Sequence, residues 1–322
     1  MEITITDVRK RYGDVVALDG PSMTIPSGST FGVLGTNGAG KTTLFELLVG
    51  YDRPEAGRIA VGGLDVEDAG HRVRERVAFL PEHAGFPAGL TGREVLEVQA
   101  QIRGIDDRKR RIRGALDTVG LTGAADRSVA GYSNGMGRRL GLAAALLADP
   151  PVLVLDEPTA GLDPRGVATF HEIVERIDRE TDATVVLSSH VLSEVERLCD
   201  HVAILEDGQL RASGSVESLR TAGGHDVTVV LAPSGGPGSD ARTELLAAVQ
   251  DWGDVATTDG TIEVECDRET AFERLSTLEY DQLDRFEVRE PGLEAAFREA
   301  LAGEDAGAAS EPAAGPAEVR SR

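Results

Sequence analysis

Nine consecutive residues, Gly35-Thr36-Asn37-Gly38-Ala39-Gly40-Lys41-Thr42-Thr43, carry the clearest chemistry in the chain. They fit the pattern G-x-x-x-x-G-K-[ST], with Gly35, Gly40, Lys41 and Thr42 at its fixed positions. Small residues let successive backbone N–H groups wrap a polyphosphate, whose charge then rests on the positive end of the following helix. Lys41 adds a point charge for the outer phosphates, and Thr42 a hydroxyl for Mg²⁺. Further along, Asp156 and Glu157 close the apolar run Val152-Leu153-Val154-Leu155. Phosphoryl transfer needs such groups opposite the loop, one to hold the metal ion and one to orient the attacking water.

These groups are useful only if the chain places them together. Thr30 to Leu34 reads as a buried strand entering the loop, and Leu44 to Leu48 as a helix leaving it. Val152 to Leu155 has the continuous apolar character of a parallel strand buried on both faces, and doubly wound folds bind ligands at the carboxyl ends of such strands. Val77 to Leu80, running into Pro81-Glu82, and Thr184 to Leu187, running into Ser188-Ser189-His190, read the same way, as does Val202 to Leu205. Residues 1–34 alternate in short apolar runs between turn signals, which predicts antiparallel strands, and Tyr12 offers a face on which an adenine can stack. From about residue 85 to 150 the pattern is helical. Thr91-Gly92-Arg93-Glu94 has the capping-box order and predicts a helix from near Gly92. Small, polar Tyr132-Ser133-Asn134-Gly135-Met136 opens the last helix of that segment.

Character changes near residue 221, and short pieces follow: strand 227–231, helix 243–249, strand 261–265, helix 270–278, then strand 286–288. They predict a small α/β domain over 221–302, while Ala, Gly, Glu and Pro dominate 303–322, a disordered tail. The 322 residues carry 55 Asp+Glu against 33 Lys+Arg, a net charge of -22, and only three lysines. So negative a surface repels nucleic acid, and no nucleic-acid partner is expected. Acidity spread through every segment with scarce lysine matches proteins of salt-in halophiles, where salt screens the self-repulsion. Cys199 and Cys266 show no metal or redox spacing and suit a reducing cytosol. The opening residues alternate like a strand rather than a signal peptide, and no run reaches the roughly 18 apolar residues of a membrane span, so any membrane role needs a partner.

In order and spacing, these motifs resemble those of the ATP-binding cassette (ABC) transporter ATPases, over Met1 to about Arg220. The resemblance implies a P-loop NTPase core with antiparallel and helical subdomains, ATP and Mg²⁺ at the loop, Asp156 as a Mg²⁺ ligand and Glu157 as catalytic base. Tyr132 to Met136 stands where the family has its signature, so Ser133 and Gly135 would contact a γ-phosphate. Gly161-Leu162-Asp163-Pro164 matches the D-loop and His190 the switch histidine. The family's Q-loop glutamine is replaced by Glu82, whose carboxylate can coordinate Mg²⁺ or hold the water but adds negative charge beside the γ-phosphate. In this family the signature reaches the phosphate loop of a second copy, so a head-to-tail pair is implied. The implied partner is a membrane-spanning permease docking around Glu82 to Leu90, which puts the chain in the cytoplasm, peripheral on the inner face of the membrane. Glu290-Pro291-Gly292-Leu293-Glu294 to Phe297 is similar to the closing motif of ABC-2 exporters, and the motif set is also similar to the ATPase that serves copper processing in nitrous-oxide reductase maturation. A soluble cassette ATPase without a permease is the alternative. Replacing Glu82→Gln is expected to keep substantial ATP turnover. A loss beyond about a hundredfold in kcat, about 2.7 kcal/mol, would instead make the carboxylate chemically required.

Overall fold

The computed structural model describes residues 1–220, 227–235, 239–258, 260–278, 282–289 and 292–302, so the expected tail at 303–322 lies outside the described residues. The chain folds as two compact units, Met1–Leu219 and a second from Arg220 onward. The first opens with β1 (Ile3–Tyr12), β2 (Val15–Asp19) and β3 (Met23–Ile25), then β4 (Thr30–Leu34) leads through the glycine loop into α1 (Lys41–Leu48). Next come β5 (Ala56–Val61), β6 (Leu64–Asp65), α2 (Gly70–Arg74) and β7 (Val77–Leu80). Three longer helices follow, α3 (Gly92–Ile102), α4 (Arg108–Thr118) and α5 (Asn134–Leu146). Then β8 (Val152–Leu155), α6 (Pro164–Glu180), β9 (Thr184–Ser189), α7 (Leu192–Leu198), β10 (His201–Glu206), β11 (Gln209–Ser215) and α8 (Val216–Arg220) close it.

Two sheets result. The antiparallel one runs β2-β1-β5-β6, with β3 also on β1, and its alternation puts Ile3, Ile5, Ile25, Ile59 and Val61 inside. The other runs β11-β10-β4-β9-β8-β7, parallel except for β11. Every residue of β4, β8 and β9 is buried, as strands covered on both faces must be. One core joins both sheets to α1, with Phe45 packed among Ile5, Leu18, Phe31, Val154 and Val186. Parallel strands all point one way. The segments after β4, β7, β8 and β9, which carry the glycine loop, Glu82, Asp156-Glu157 and His190, therefore leave the sheet at one edge.

The second unit holds β12 (Val227–Pro233), α9 (Asp240–Val249), β13 (Asp254–Thr258), β14 (Thr261–Cys266), α10 (Arg268–Leu275), β15 (Leu283–Arg289) and α11 (Leu293–Ala302). Its antiparallel sheet runs β13-β14-β12-β15, and Val229, Leu231, Leu245, Trp252, Ile262 and Val264 share its core. This is the β-α-β-β-α-β split arrangement. Sequence periodicity missed β11, β13, α2 and α11. Strand β13 is exposed along its whole length and β11 is Gln-Leu-Arg-Ala-Ser-Gly-Ser, so pairing with β14 and β10 defines them rather than an apolar alternation. Of the closing motif, Glu290 and Pro291 lie outside the described residues, and Leu293 opens α11.

Two local devices hold the first unit's outer parts. The Thr91 hydroxyl accepts the Glu94 N–H at 3.2 Å while the Glu94 carboxylate accepts the Thr91 N–H at 2.8 Å, the expected capping box at the head of α3. At the end of β1, the Tyr12 hydroxyl donates to Asp52 at 2.8 Å and Lys10 pairs with the same carboxylate at 2.8 Å, its ammonium 5.1 Å from the Tyr12 ring centre. Hydrogen bonds from Lys10, the Arg53 N–H and Tyr12 pull the Asp52 carboxyl down from 3.8 to about 2. Thr91→Ala is expected to lower stability by about 1 kcal/mol, read by urea unfolding. A carboxylate with a depressed folded pKa stabilises above its unfolded value and ceases to as pH falls through its folded one. Melting temperatures of wild type and Asp52→Asn should therefore differ at neutral pH and converge as pH falls from 3.8 toward about 2.

Candidate functional site

The glycine loop has the shape its pattern implies because larger residues do not fit. A Cβ on Gly35 would lie 2.4 Å from the Leu205 carbonyl oxygen, and Gly40 combines φ +98° with a Cβ position 2.5 Å from the Ala17 oxygen. Gly40 caps α1 without a side-chain bond to the first-turn N–H groups, and no acidic residue stands in that turn, which leaves the helix's positive end for an anion. Lys41 is buried. Its ammonium donates to the Gly35 and Thr36 carbonyls at 2.8 and 3.1 Å and lies 3.1 Å from Glu157 Oε1, off the hydrogen-bond direction, so charge rather than a shared proton ties that pair.

Two carboxylates face the loop. Asp156 Oδ2 accepts from the Thr42 hydroxyl at 2.9 Å and Oδ1 from the Ser188 hydroxyl at 2.7 Å. Burial pushes the Asp156 carboxyl up against these two bonds, and the neighbouring Glu157 and Glu82 charges add to the rise. A cation beside Thr42 would reverse that direction by favouring the ionised form. Glu157 Oε2 lies 2.9 Å from His190 Nδ1. Its backbone is left-handed, φ +40°, a cost of about 1–3 kcal/mol for a residue with a side chain. The Ser188 hydroxyl accepts its N–H at 2.7 Å. A cavity of about 470 Å³ is lined by Tyr12, Val15, Val16, Ala17, Asn37 to Thr43, Glu82 and Glu157. The Glu82 side chain is 44% exposed there, 3.8 Å from His83. The ring of Tyr12 is held at its rim by Asp52, and burial with that bond pushes its hydroxyl up to about 12. Asp156 joins this site through Thr42 and His190 through Glu157.

Ser133, Gly135 and Asp163 lie elsewhere. Ser133 caps α5 by accepting the Met136 N–H at 3.3 Å, and Asp163 caps α6 by accepting the Gly166 N–H at 2.7 Å, with Pro164 in the first turn. The Asn134 amide donates to the Gly161 carbonyl at 2.9 Å and so joins signature to D-loop. A second cavity of about 360 Å³ lies between them, and it shares no lining residue with the first.

Sequence reasoning passed over Ser188 and Arg138. Ser188 occurs in a strand, where a hydroxyl is commonplace until its partners are known. Arg138, 7% exposed, donates to the carbonyls of Pro81, Glu82, Asp156, Glu157 and Pro158. Burial pulls its guanidinium down to about 10. The available signal was an arginine at the head of an otherwise small and apolar helix stretch, Leu140 to Leu147.

The chain matches the ABC transporter family model over residues 18–160. It is 40% identical to the daunorubicin resistance ATP-binding protein DrrA3 of Streptomyces coeruleorubidus over 77% of this chain and 79% of that protein. It is also 40% identical to the bacitracin transport ATP-binding protein BcrA of Bacillus licheniformis, over 65% and 68% respectively. A solved structure of the ATP-binding subunit of an ABC transporter superposes with a TM-score of 0.62 at 28% identity, over 70% of this chain and 94% of that one. With a phosphate loop, facing carboxylates and a strand-end histidine gathered at one sheet edge, the chain belongs to the ABC transporter family of ATP-hydrolysing cassette proteins.

Proposed function

We propose that this chain energises an ABC-2 type exporter, and that two copies bind ATP head to tail between the loop of one and the signature of the other. The observation that carries this is that the cavities beside Ser133 and Gly135 are lined by neither Lys41 nor Thr42, although one of them also meets Glu82. A γ-phosphate on Lys41 then needs Ser133 and Gly135 from a second copy. Residues 1–220 form the nucleotide-binding domain.

In the reaction, the loop N–H groups and the head of α1 bind the phosphates, and the ring of Tyr12 takes the adenine. Lys41 exchanges the Gly35 and Thr36 carbonyls for phosphate oxygens, which frees Glu157 from its cation. Glu157 orients the attacking water and takes its proton, while His190, bonded to the same carboxylate, meets the γ-phosphate. Thr42 and Asp156, already joined at 2.9 Å, are the hard-oxygen pair that would hold Mg²⁺. Among the described residues no three His, Cys, Asp or Glu side chains form a metal cage, which suits an ion whose other ligands are phosphate and water. When bound, Mg²⁺ neutralises charge on the transferring phosphoryl group. Glu82 faces this chemistry from the cavity wall and either supports the ion or holds the water.

Among the described residues no helix is long and apolar enough to cross a membrane. A groove of about 480 Å³ beside β7, the strand leading into 82–90, is lined in part by Tyr51, Phe79 and Ile102, with Tyr51 and Ile102 largely exposed. This supports docking of a helix from a membrane-spanning permease, with the chain peripheral on the cytoplasmic face. The relatives' names, daunorubicin resistance and bacitracin transport, support export of antibiotic-like cargo. The copper-processing subgroup rests only on motifs that such exporters share. The acidic, lysine-poor composition supports work in concentrated salt.

Glu157→Gln is expected to lower ATP turnover by about a hundredfold or more and to sediment as a dimer with ATP and Mg²⁺. A variant that stays monomeric under those conditions overturns the head-to-tail reading.

A further inference from the structure

One guanidinium joins three segments of the cassette. A guanidinium has five N–H donors. In Arg138 all five are used on main-chain carbonyls: Nε on Pro158 at 3.0 Å, Nη1 on Pro81 and on Glu82 at 2.8 Å, Nη2 on Asp156 and on Glu157 at 3.0 Å. Burying such a cation without a directly paired carboxylate is costly unless its donors are satisfied, and these five bonds satisfy them. Its acceptors all belong to the two segments that carry Glu82, Asp156 and Glu157. Its own helix, α5, begins at the Ser133 cap, five residues and about 7.5 Å of helix rise earlier. Glu157 is clamped at both ends of its left-handed backbone, the N–H on Ser188 at 2.7 Å and the carbonyl on Arg138 at 3.0 Å. That clamp sets the direction in which its carboxylate leaves the chain.

We propose that Arg138 is a positioning residue that couples the signature helix to the Glu157 carboxylate and the Glu82 segment of the same copy. Resting on the head-to-tail reading, this means that a γ-phosphate taken by Ser133 and Gly135 at one composite site adjusts the water-orienting group of the other. Arg138 thereby links the two ATP sites. A lysine keeps the charge but has three donors at one point and cannot span both segments.

The test compares wild type, Arg138→Lys and Arg138→Met as full-length protein. ATP turnover is followed against ATP concentration, affinity is measured with a fluorescent ATP analogue, and melting temperature is recorded. In Arg138→Met the expected result is a fall of about a hundredfold in kcat with analogue affinity within about threefold, because the loop is untouched and only the reacting geometry is displaced. Cooperativity in ATP should fall toward a Hill coefficient of about 1. Arg138→Lys should recover no more than about a tenth of the lost turnover and none of the cooperativity. Turnover in Arg138→Met within about threefold of wild type overturns the proposal. Equal losses of kcat, affinity and melting temperature in both variants also overturn it, since they mark a merely structural arginine. If Arg138→Met does not fold, Arg138→Lys decides, and unchanged turnover and cooperativity there sink the idea. Failure of the head-to-tail reading shows itself separately, as a Glu157→Gln protein with intact Arg138 that does not dimerise.

Discussion

The Glu157 carboxylate lies between two basic side chains, Lys41 at 3.1 Å and His190 at 2.9 Å, with the residue only 8% exposed. An ionised group removed from water is costly unless it is paired and hydrogen-bonded, so this position constrains what surrounds it. Lys41 must come from the head of α1, His190 from the end of β9, and Glu157 from the end of β8. Those three ends meet because their strands are parallel neighbours in one buried sheet. The left-handed backbone of Glu157 persists because Ser188 and Arg138 hold both of its peptide groups.

The same side chains are partnered within the chain. The Lys41 ammonium occupies the carbonyls of its own loop, and Thr42 spends its hydroxyl on Asp156. A polyphosphate offers Lys41 a stronger partner than a carbonyl, since ammonium-phosphate bonds are charge-assisted on both sides. The same economy holds at the other cavity, where Ser133 and Asp163 each satisfy a helix head while leaving that head facing solvent.

The acidic surface and the phosphate-loop lysine serve different ends. Most of the 55 carboxylates have no part in the chemistry, whereas Lys41 is one of only three lysines. Elsewhere arginine supplies most of the cations, and Arg138 exploits what lysine lacks, a planar fork that reaches two segments at once.

Much of the frame was legible in the sequence because its signals are local. Apolar runs of four or five residues marked β4, β7, β8, β9 and β10, the Thr91–Glu94 pair marked the head of α3, and the glycine pattern marked the loop. Strands β11 and β13 were not legible, since neither carries its own apolar face and each exists by pairing with a neighbour. Within the site, residue types at fixed spacing named Lys41, Thr42, Asp156 and Glu157 as chemistry, and the family resemblance added His190. What only the tertiary structure decided is which of them touch. It joined Thr42 to Asp156 and Glu157 to His190, and kept Ser133 and Asp163 in cavities that Lys41 and Thr42 do not line. It also turned Arg138 and Ser188, unremarkable in sequence, into the supports of Glu157. The physical reason is that hydrogen-bond partners 18 to 114 residues apart are set by strand order and helix packing, on which no local periodicity reports.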